Sequence, residues 1–366
     1  MINRYPDTLI YVLCPAHIVT GGIEAVHQLV DKLRKFGHKA MIATTPFVSN
    51  PTLIQYRNYE VDFASEIIDS AANLLITTEV NPQALEPYAA IQKAIWWLSV
   101  DNHENLSAPF DFHSQANQTI SHFVQSYYAY SYLSNKGIRT VQYLSDFLHD
   151  TYLKTPLQDK PRQKKDLVLY TPIKGADVFV SRLIQADSSI TWQPLKGMIR
   201  KKHAQTLRTA KVYVDFGSHP GKDRQPREAA VNGCCVIVGR RGSARFTEDI
   251  SIPEGYRFEL EPMDAEAILS CIKSCLRDYE TRISDFQSYA NTIREEEKRF
   301  ENEVVTNFGI IKKRNRNKTW IILGNIILYL KQNNLLTGLR GLANELVPIA
   351  LVNLARRIYP KFRSDR

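Results

Sequence analysis

KVYVDFGSHPGKDRQPREAAVNGCCVIVG, residues 211–239, sets two short β-branched runs, KVYVDF and CVIVG, on either side of the segment PREAAVN. Apolar runs of this length bounded by Gly, Pro and Asn read as buried parallel strands. Pro226 suits the first turn of a helix, where its missing N–H has no intrahelical partner to lose. The stretch therefore reads strand, loop, helix, strand, the unit of an open α/β sheet that presents ligands at strand ends and helix N-termini. Glu228 is expected in the first turn of that helix, beside a loop carrying Gly217, Ser218, His219, Gly221, Lys222 and Arg224. Two cations, a histidine and free backbone N–H groups suit a phosphorylated, hydroxyl-rich ligand. A solvated loop with an ordinary first-turn glutamate would present the same residues.

The same grammar extends in both directions. Upstream, TLIYVL (8–13), AMIAT (40–44), NLLITT (73–78) and AIWWLSV (94–100) read as strands, and SHFVQSYYAYSYLSNKGI as strand then helix. After Gly21-Gly22, the residues Ile23, Val26, Val30, Leu33 and Phe36 recur at helical spacing, and Gly37 is placed to close that helix. DLVLYT, ITWQPL and the segments KGADVFVSRLIQ and KHAQTLRTA continue the alternation, which predicts doubly wound parallel sheets with right-handed crossovers. The polar stretch KTPLQDKPRQKKD, with two prolines and a run of charge, marks a linker. The predicted organisation is an N-terminal Rossmann-like domain over 1–150, a linker over 151–165, and a C-terminal Rossmann-like domain over 166–280. A helix crossing back over 281–311 and a basic amphipathic tail over 312–366 complete it.

The formal charge of +9 is concentrated in that tail. Residues 312–366 hold twelve Lys or Arg and two acids, a net of +10, so the body is about neutral and nucleic acid is not expected as a partner. The apolar run at 320–330 contains Gly324 and Asn325 and falls short of the ~20 residues of a membrane span. Its basic flanks, with Trp320, Tyr329 and Tyr359, predict a helix lying on an anionic membrane surface, the alternative being a helical hairpin that completes the core or a dimer contact. Cys14, Cys234, Cys235, Cys271 and Cys275 lie in apolar settings and are expected as buried thiols. Adjacent Cys234 and Cys235 in a strand point to opposite faces and cannot chelate one zinc. With a polar start and no signal-peptide pattern, the expected place is the cytoplasm, peripheral on the inner face of the cell membrane.

Three motifs in order resemble the retaining GT-B glycosyltransferases, family 4-like, of bacterial surface-polysaccharide biosynthesis. VTGGIEAVHQLVDKLRKFGHKAMIAT is similar to that family's glycine-rich first loop, TPIKGADVF to its donor-phosphate lysine segment, and PREAAVNGCCVIVG to its sugar- and ribose-binding acidic helix. The likeness covers roughly residues 8–250. It implies two Rossmann-like domains facing across a cleft, and transfer of a sugar with retention from a nucleotide sugar, carrying UDP or GDP, to a glycan or lipid-linked acceptor. The donor diphosphate would meet Gly21, Gly22 and the helix N–H groups behind them, with Lys174, Lys222 and Arg224 supplying cations. Glu228 and His219 would contact the donor sugar or ribose, and His103, with Asp101 as second choice, would join Glu228 as the catalytic set. No protein nucleophile, cofactor or metal is implied, and no Asp-x-Asp motif occurs.

The chain departs from the family's pattern in two places. The arginine expected a few residues before Lys174 is absent, the positions reading Leu169, Tyr170 and Thr171, and the acid expected eight residues before Glu228 is Pro220. Two other functions fit the same fold: nucleotide-sugar epimerisation, and non-catalytic binding of a nucleotide sugar within an assembly.

Overall fold

A computed structural model describes the chain over residues 2, 3, 5, 7–45, 48, 53–106, 109–154, 163–173, 175–261 and 264–311. Two all-parallel sheets lie within one unit, Met1–Ile311. The first contains β1 (Leu9–Pro15), β2 (Lys39–Thr45), β3 (Leu74–Thr78), β4 (Gln92–Trp97), β5 (Ser121–Val124) and β6 (Val141–Tyr143), in the order β2-β1-β3-β4-β5-β6. The second contains β7 (Lys165–Tyr170), β8 (Trp192–Pro194), β9 (Ala210–Asp215), β10 (Cys235–Gly239) and β11 (Arg257–Phe258), in the order β11-β10-β9-β7-β8. Each order reverses once, between β1 and β3 and between β7 and β9. At such a switch point adjacent crossovers leave in opposite directions and open a crevice at the strands' C-terminal ends.

Strands in these sheets are covered on both faces, which is why their sequences are continuous apolar runs. The neighbours Trp96 and Trp97 are both fully buried yet enter different core layers, since successive side chains alternate across a sheet. Trp96 donates its indole N–H to the Leu144 carbonyl at 2.7 Å, and Trp97 to Nδ1 of His122 at 3.0 Å. Burial pushes the His122 imidazole down to about 4, which keeps it a neutral acceptor.

Helix α1 (Gly21–Lys35) follows β1, and Oγ1 of Thr20 caps it by accepting from the Ile23 N–H at 3.3 Å. Ile23, Val26, Leu29, Val30 and Leu33 are buried against the first sheet, and burying each such side chain is worth about 1.5–3 kcal/mol. Gly37, at φ +93°, ends the helix as its sequence position predicts. Further helices are α2 (Val100–Leu106), α3 (Tyr127–Asn135), α4 (Asp150–Leu153), α5 (Asp177–Ala186), α6 (Arg200–Thr209), α7 (Arg224–Val231) and α8 (Ala265–Arg277). After α9 (Tyr279–Arg282), α10 (Gln287–Arg294) packs against α7, and α11 (Glu296–Phe308) buries Phe300, Val304 and Phe308 in the core of the first sheet.

Three element readings change. The single helix expected over 281–311 is broken, α10 ending at Arg294 and α11 starting at Glu296. The run at 94–100 ends as strand at Trp97, because the Leu98 N–H leaves the ladder for the Glu79 carboxylate at 2.8 Å and Val100 opens α2. Helix α7 starts at Arg224, so Glu228 stands in its second turn and not its first. Pro226 permits this, since its absent N–H is one of the first-turn donors that have no partner inside the helix. Lys174, the linker residues 155–162 and the basic tail 312–366 lie outside the described residues.

Candidate functional site

A cleft of 780 Å³ lies where the two switch points face each other. From the first sheet it takes Gly21, Gly22, Glu79, Ser99, Asn102 and Gln125; from the second, Thr171, Arg200, His203, Lys222, Arg224 and Glu228. Five residues of the predicted site, Gly21, Gly22, Lys222, Arg224 and Glu228, therefore share one crevice.

The glycines permit close approach between the lobes. A Cβ on Gly21 would stand 3.1 Å from Nε of Arg224, and a Cβ on Gly221 would stand 1.8 Å from the Leu98 carbonyl oxygen. Gly221 instead pairs with Ser99 in an antiparallel bridge between the lobes. Ser243 secures the loop from below, donating its N–H to the His219 carbonyl at 2.8 Å and its hydroxyl to that of Gly221 at 2.5 Å.

The cations are held by buried carboxylates. Arg224 bonds Glu24 on α1 and, at 3.3 Å, Asp146; Arg200 reaches the same Glu24 oxygen at 2.8 Å. Burial alone would raise the Glu24 carboxyl, but the guanidinium groups of Arg224 and Arg200 outweigh it and hold it below the usual range. Lys222 lies 3.0 Å from Glu296 and 3.7 Å from Asp146. Arg227, fully buried behind the cleft, joins Asp146 at 2.9 Å to Glu296 at 2.7 Å. Burial opposes ionisation of Asp146, yet Arg227, Lys222 and Arg224 together bring its carboxyl down to about 2.

Glu228 has a different setting. Burial lifts its carboxyl to about 7 against the pull of Arg224 and Arg227, and His203 Nδ1 stands 3.6 Å away. Burial also lowers the His203 imidazole, whose Nδ1 is 3.2 Å from the Tyr152 hydroxyl. On the first lobe, burial raises Glu79 to about 7 as well, although its carboxylate accepts the Leu98 N–H. A carboxyl poised near neutrality can donate or accept a hydrogen bond from a hydroxyl-bearing ligand.

Of the other predicted site residues, the described ones, His103, Asp101 and His219, lie off the cleft lining. His103 is buried, with Nδ1 2.8 Å from the Glu79 carbonyl and its ring 4.8 Å from that of Trp97, edge-on. Asp101 accepts from the Tyr128 hydroxyl at 2.6 Å. Between them in sequence, Asn102 lines the cleft, because one step along a helix turns the side chain by about 100°. His219 is fully buried under the loop, its Nε2 3.6 Å from Asp215 and its Nδ1 3.3 Å from Asp223. It supports the loop and does not reach the cleft surface. Sequence alone does not single out Arg200, His203, Glu79 or Asp146; Arg200 and His203, three apart at the start of a helix that follows a strand, carry the one usable signal. Among the described residues no group of three or more His, Cys, Asp or Glu is arranged to hold a metal ion, and no helix is long and apolar enough to cross a membrane.

No protein-family model and no curated protein matches the sequence. Solved structures do resemble the fold. HepE from Anabaena, in complex with UDP-glucose, matches with a TM-score of 0.55 at 13% identity over 82% of this chain and 98% of its own. The pneumococcal O-GlcNAc transferase GtfA, in complex with UDP and GlcNAc, gives 0.54 at 10% over 82% and 98%. Sucrose-phosphate synthase from Thermosynechococcus elongatus gives 0.53 at 15% over 82% and 97%. With its two parallel sheets, each reversing once beside a shared cleft, the chain adopts the GT-B fold.

Proposed function

We propose that this chain is a glycosyltransferase that moves a sugar, with retention and without a metal, from a UDP- or GDP-sugar to a glycan or lipid-linked acceptor. The observation that carries the reading is the meeting, in one crevice, of the α1 N-terminus, the guanidinium groups of Arg200 and Arg224, and the near-neutral carboxyl of Glu228. HepE and GtfA, which share the fold, were solved with UDP-glucose and with UDP and GlcNAc.

In this reading the donor diphosphate lies over Gly21-Gly22, where helix N–H groups and the positive end of the helix dipole meet it. As the bond from the anomeric carbon to the phosphate oxygen breaks, charge gathers on that oxygen. Arg200 takes the place of the arginine missing before Lys174, and Lys174, Lys222 and Arg224 add further positive charge, stabilisation that grows in the transition state. The acceptor oxygen bonds to the anomeric carbon on the same face, and its proton passes to the departing diphosphate. Glu228 holds donor hydroxyls, while His103 and Asp101 brace the β4–α2 turn that presents Ser99 and Asn102.

A thermal-shift panel of UDP-, GDP-, ADP- and CMP-sugars tests the reading, since a ligand that binds only the folded protein raises its melting temperature by mass action. No shift with any of them refutes it. The ties of Lys222 and Arg224 to Glu296, Asp146 and Glu24 favour a second reading, a subunit that binds the nucleotide sugar without transferring it. A donor shift in a protein whose Glu228→Ala form leaves cell-surface glycan unchanged would select that alternative, and an epimer formed without acceptor would select epimerisation.

Residues 312–366 are proposed to hold the protein on anionic lipid through their net +10 charge. Their deletion should release the protein from vesicles containing anionic lipid and leave the body folded, and added salt should weaken vesicle binding by the full chain. Aggregation of the truncated protein would refute an interfacial role.

A further inference from the structure

Beside the cleft, four aromatic rings form a row that crosses from one lobe to the other. Phe246 of the second lobe meets Tyr127 at 5.2 Å between centroids, Tyr127 meets Tyr130 at 5.6 Å, and Tyr130 stacks on Tyr143 at 6.1 Å with 18° between planes. Phe246, Tyr127 and Tyr130 are half-buried, and Tyr143, on the edge strand β6, is 44% exposed. The cleft and the row adjoin on both sides: Gln125 in the cleft lies two residues before Tyr127, and Ser243, bonded to Gly221, lies three before Phe246.

The row is built into the fold. The second lobe's Asp249 caps the first lobe's α3, accepting the N–H groups of Tyr127 at 2.7 Å and Tyr128 at 2.9 Å, which fixes the helix carrying Tyr127 and Tyr130 beside Phe246. Tyr128 and Tyr132 spend their hydroxyls on Asp101 and Glu104. The hydroxyls of Tyr127, Tyr130 and Tyr143 make no hydrogen bond to the described residues. These three rings therefore offer a flat apolar face and an open polar tip.

We propose that Phe246, Tyr127, Tyr130 and Tyr143 form a subsite for the sugar units of a neutral carbohydrate acceptor chain on its way into the cleft. A pyranose ring presents C–H groups on a face and hydroxyls at its rim, which complement the face and the tip of a tyrosine ring. Charge separates this occupant from an anionic lipid surface. Burial, and after it the carboxylates Asp249 and Glu248, hold the Tyr143 phenol up at about 12, so the Tyr143 end of the row borders negative groups. The inference rests on the glycosyltransferase reading for the acceptor's role, though sugar binding at the row can be measured without it.

The test uses the full chain and an array of labelled neutral oligosaccharides, with UDP-glucose thermal shifts measured in parallel. Tyr130→Ala/Tyr143→Ala should weaken the best oligosaccharide about tenfold or more, two stacking contacts being lost, and leave the UDP-glucose shift as it was. Tyr143→Phe, which keeps the ring, should retain most of the binding and guards against simple misfolding of the double variant. The proposal is overturned if the full chain binds no oligosaccharide, if the double variant binds as the parent does, or if the double variant loses anionic-vesicle binding instead. A missing UDP-glucose shift in the parent would count against the UDP-sugar donor reading and leave the oligosaccharide result to decide the subsite.

Discussion

Replacing Arg227 by Met should cost the body about 3 kcal/mol. Arg227 is 1% exposed, its guanidinium lies 2.9 Å from Asp146 and 2.7 Å from Glu296, and it also donates to the backbone carbonyls of Lys222 and Asp223. Removing one partner of a buried pair leaves the other desolvated and uncompensated, at roughly 3–5 kcal/mol. The lower end applies because Asp146 keeps Arg224 at 3.3 Å and Lys222 at 3.7 Å, and Glu296 keeps Lys222 at 3.0 Å. At about 2–4 °C per kcal/mol, the melting temperature at pH 7 should fall by roughly 6–12 °C. Calorimetry measures it, and an acid titration supplies an independent check. The folded-state carboxyl of Asp146 is depressed from 3.8 to about 2, so it contributes stability in full above about pH 4 and loses it as pH falls towards 2. In Arg227→Met that carboxyl moves back up, and the contribution shrinks. Arg227→Met/Glu296→Met removes both members of one buried pair and should be less destabilised than the two single changes added together. A fall of under about 1 °C, with an unchanged acid limb, would refute the claim that this buried network ties the lobes together.

Glu228 should show the opposite pH behaviour. Its folded-state carboxyl is raised from 4.5 to about 7, so stability declines as pH rises through that window, and Glu228→Gln should stabilise the protein at pH 8 by up to about 3 kcal/mol relative to its effect at pH 4 while weakening donor binding; equal melting shifts at both pH values would contradict this. Gly221→Ala places a methyl group 1.8 Å from the Leu98 carbonyl, which must move with the backbone, so melting should show about 1–3 kcal/mol of destabilisation and the nucleotide-sugar shift should shrink. Unchanged values of both would show that the Ser99–Gly221 contact is dispensable. Thr20→Ala loses the cap on α1 and should cost about 1 kcal/mol in melting experiments, with Thr20→Ser restoring most of it; no recovery by serine would count against the cap.

Strand and helix were legible wherever the pattern was long. TLIYVL, NLLITT, DLVLYT and CVIVG became β1, β3, β7 and β10 within one or two residues, because a fully buried parallel strand must be apolar on both faces. The short β6 and β11, three and two residues long, carried too few side chains to show any period. The start of α7 was misplaced because a proline is tolerated anywhere in a helix's first turn.

The amino-acid sequence by itself determined the doubly wound sheets, the glycine turn before α1, the acid on α7 and the concentration of charge at 312–366, because each follows from residues near one another along the chain. Tertiary structure alone decided which polar groups meet. Arg200 reaches Glu24 from 176 residues away, and Asp249 caps α3 from the opposite lobe. It decided too that Asn102, and not His103 or Asp101, turns into the cleft, and that Lys222 and Arg224 arrive there already bound to carboxylates. Helix phase and lobe packing set those choices, and neither is written in any local pattern.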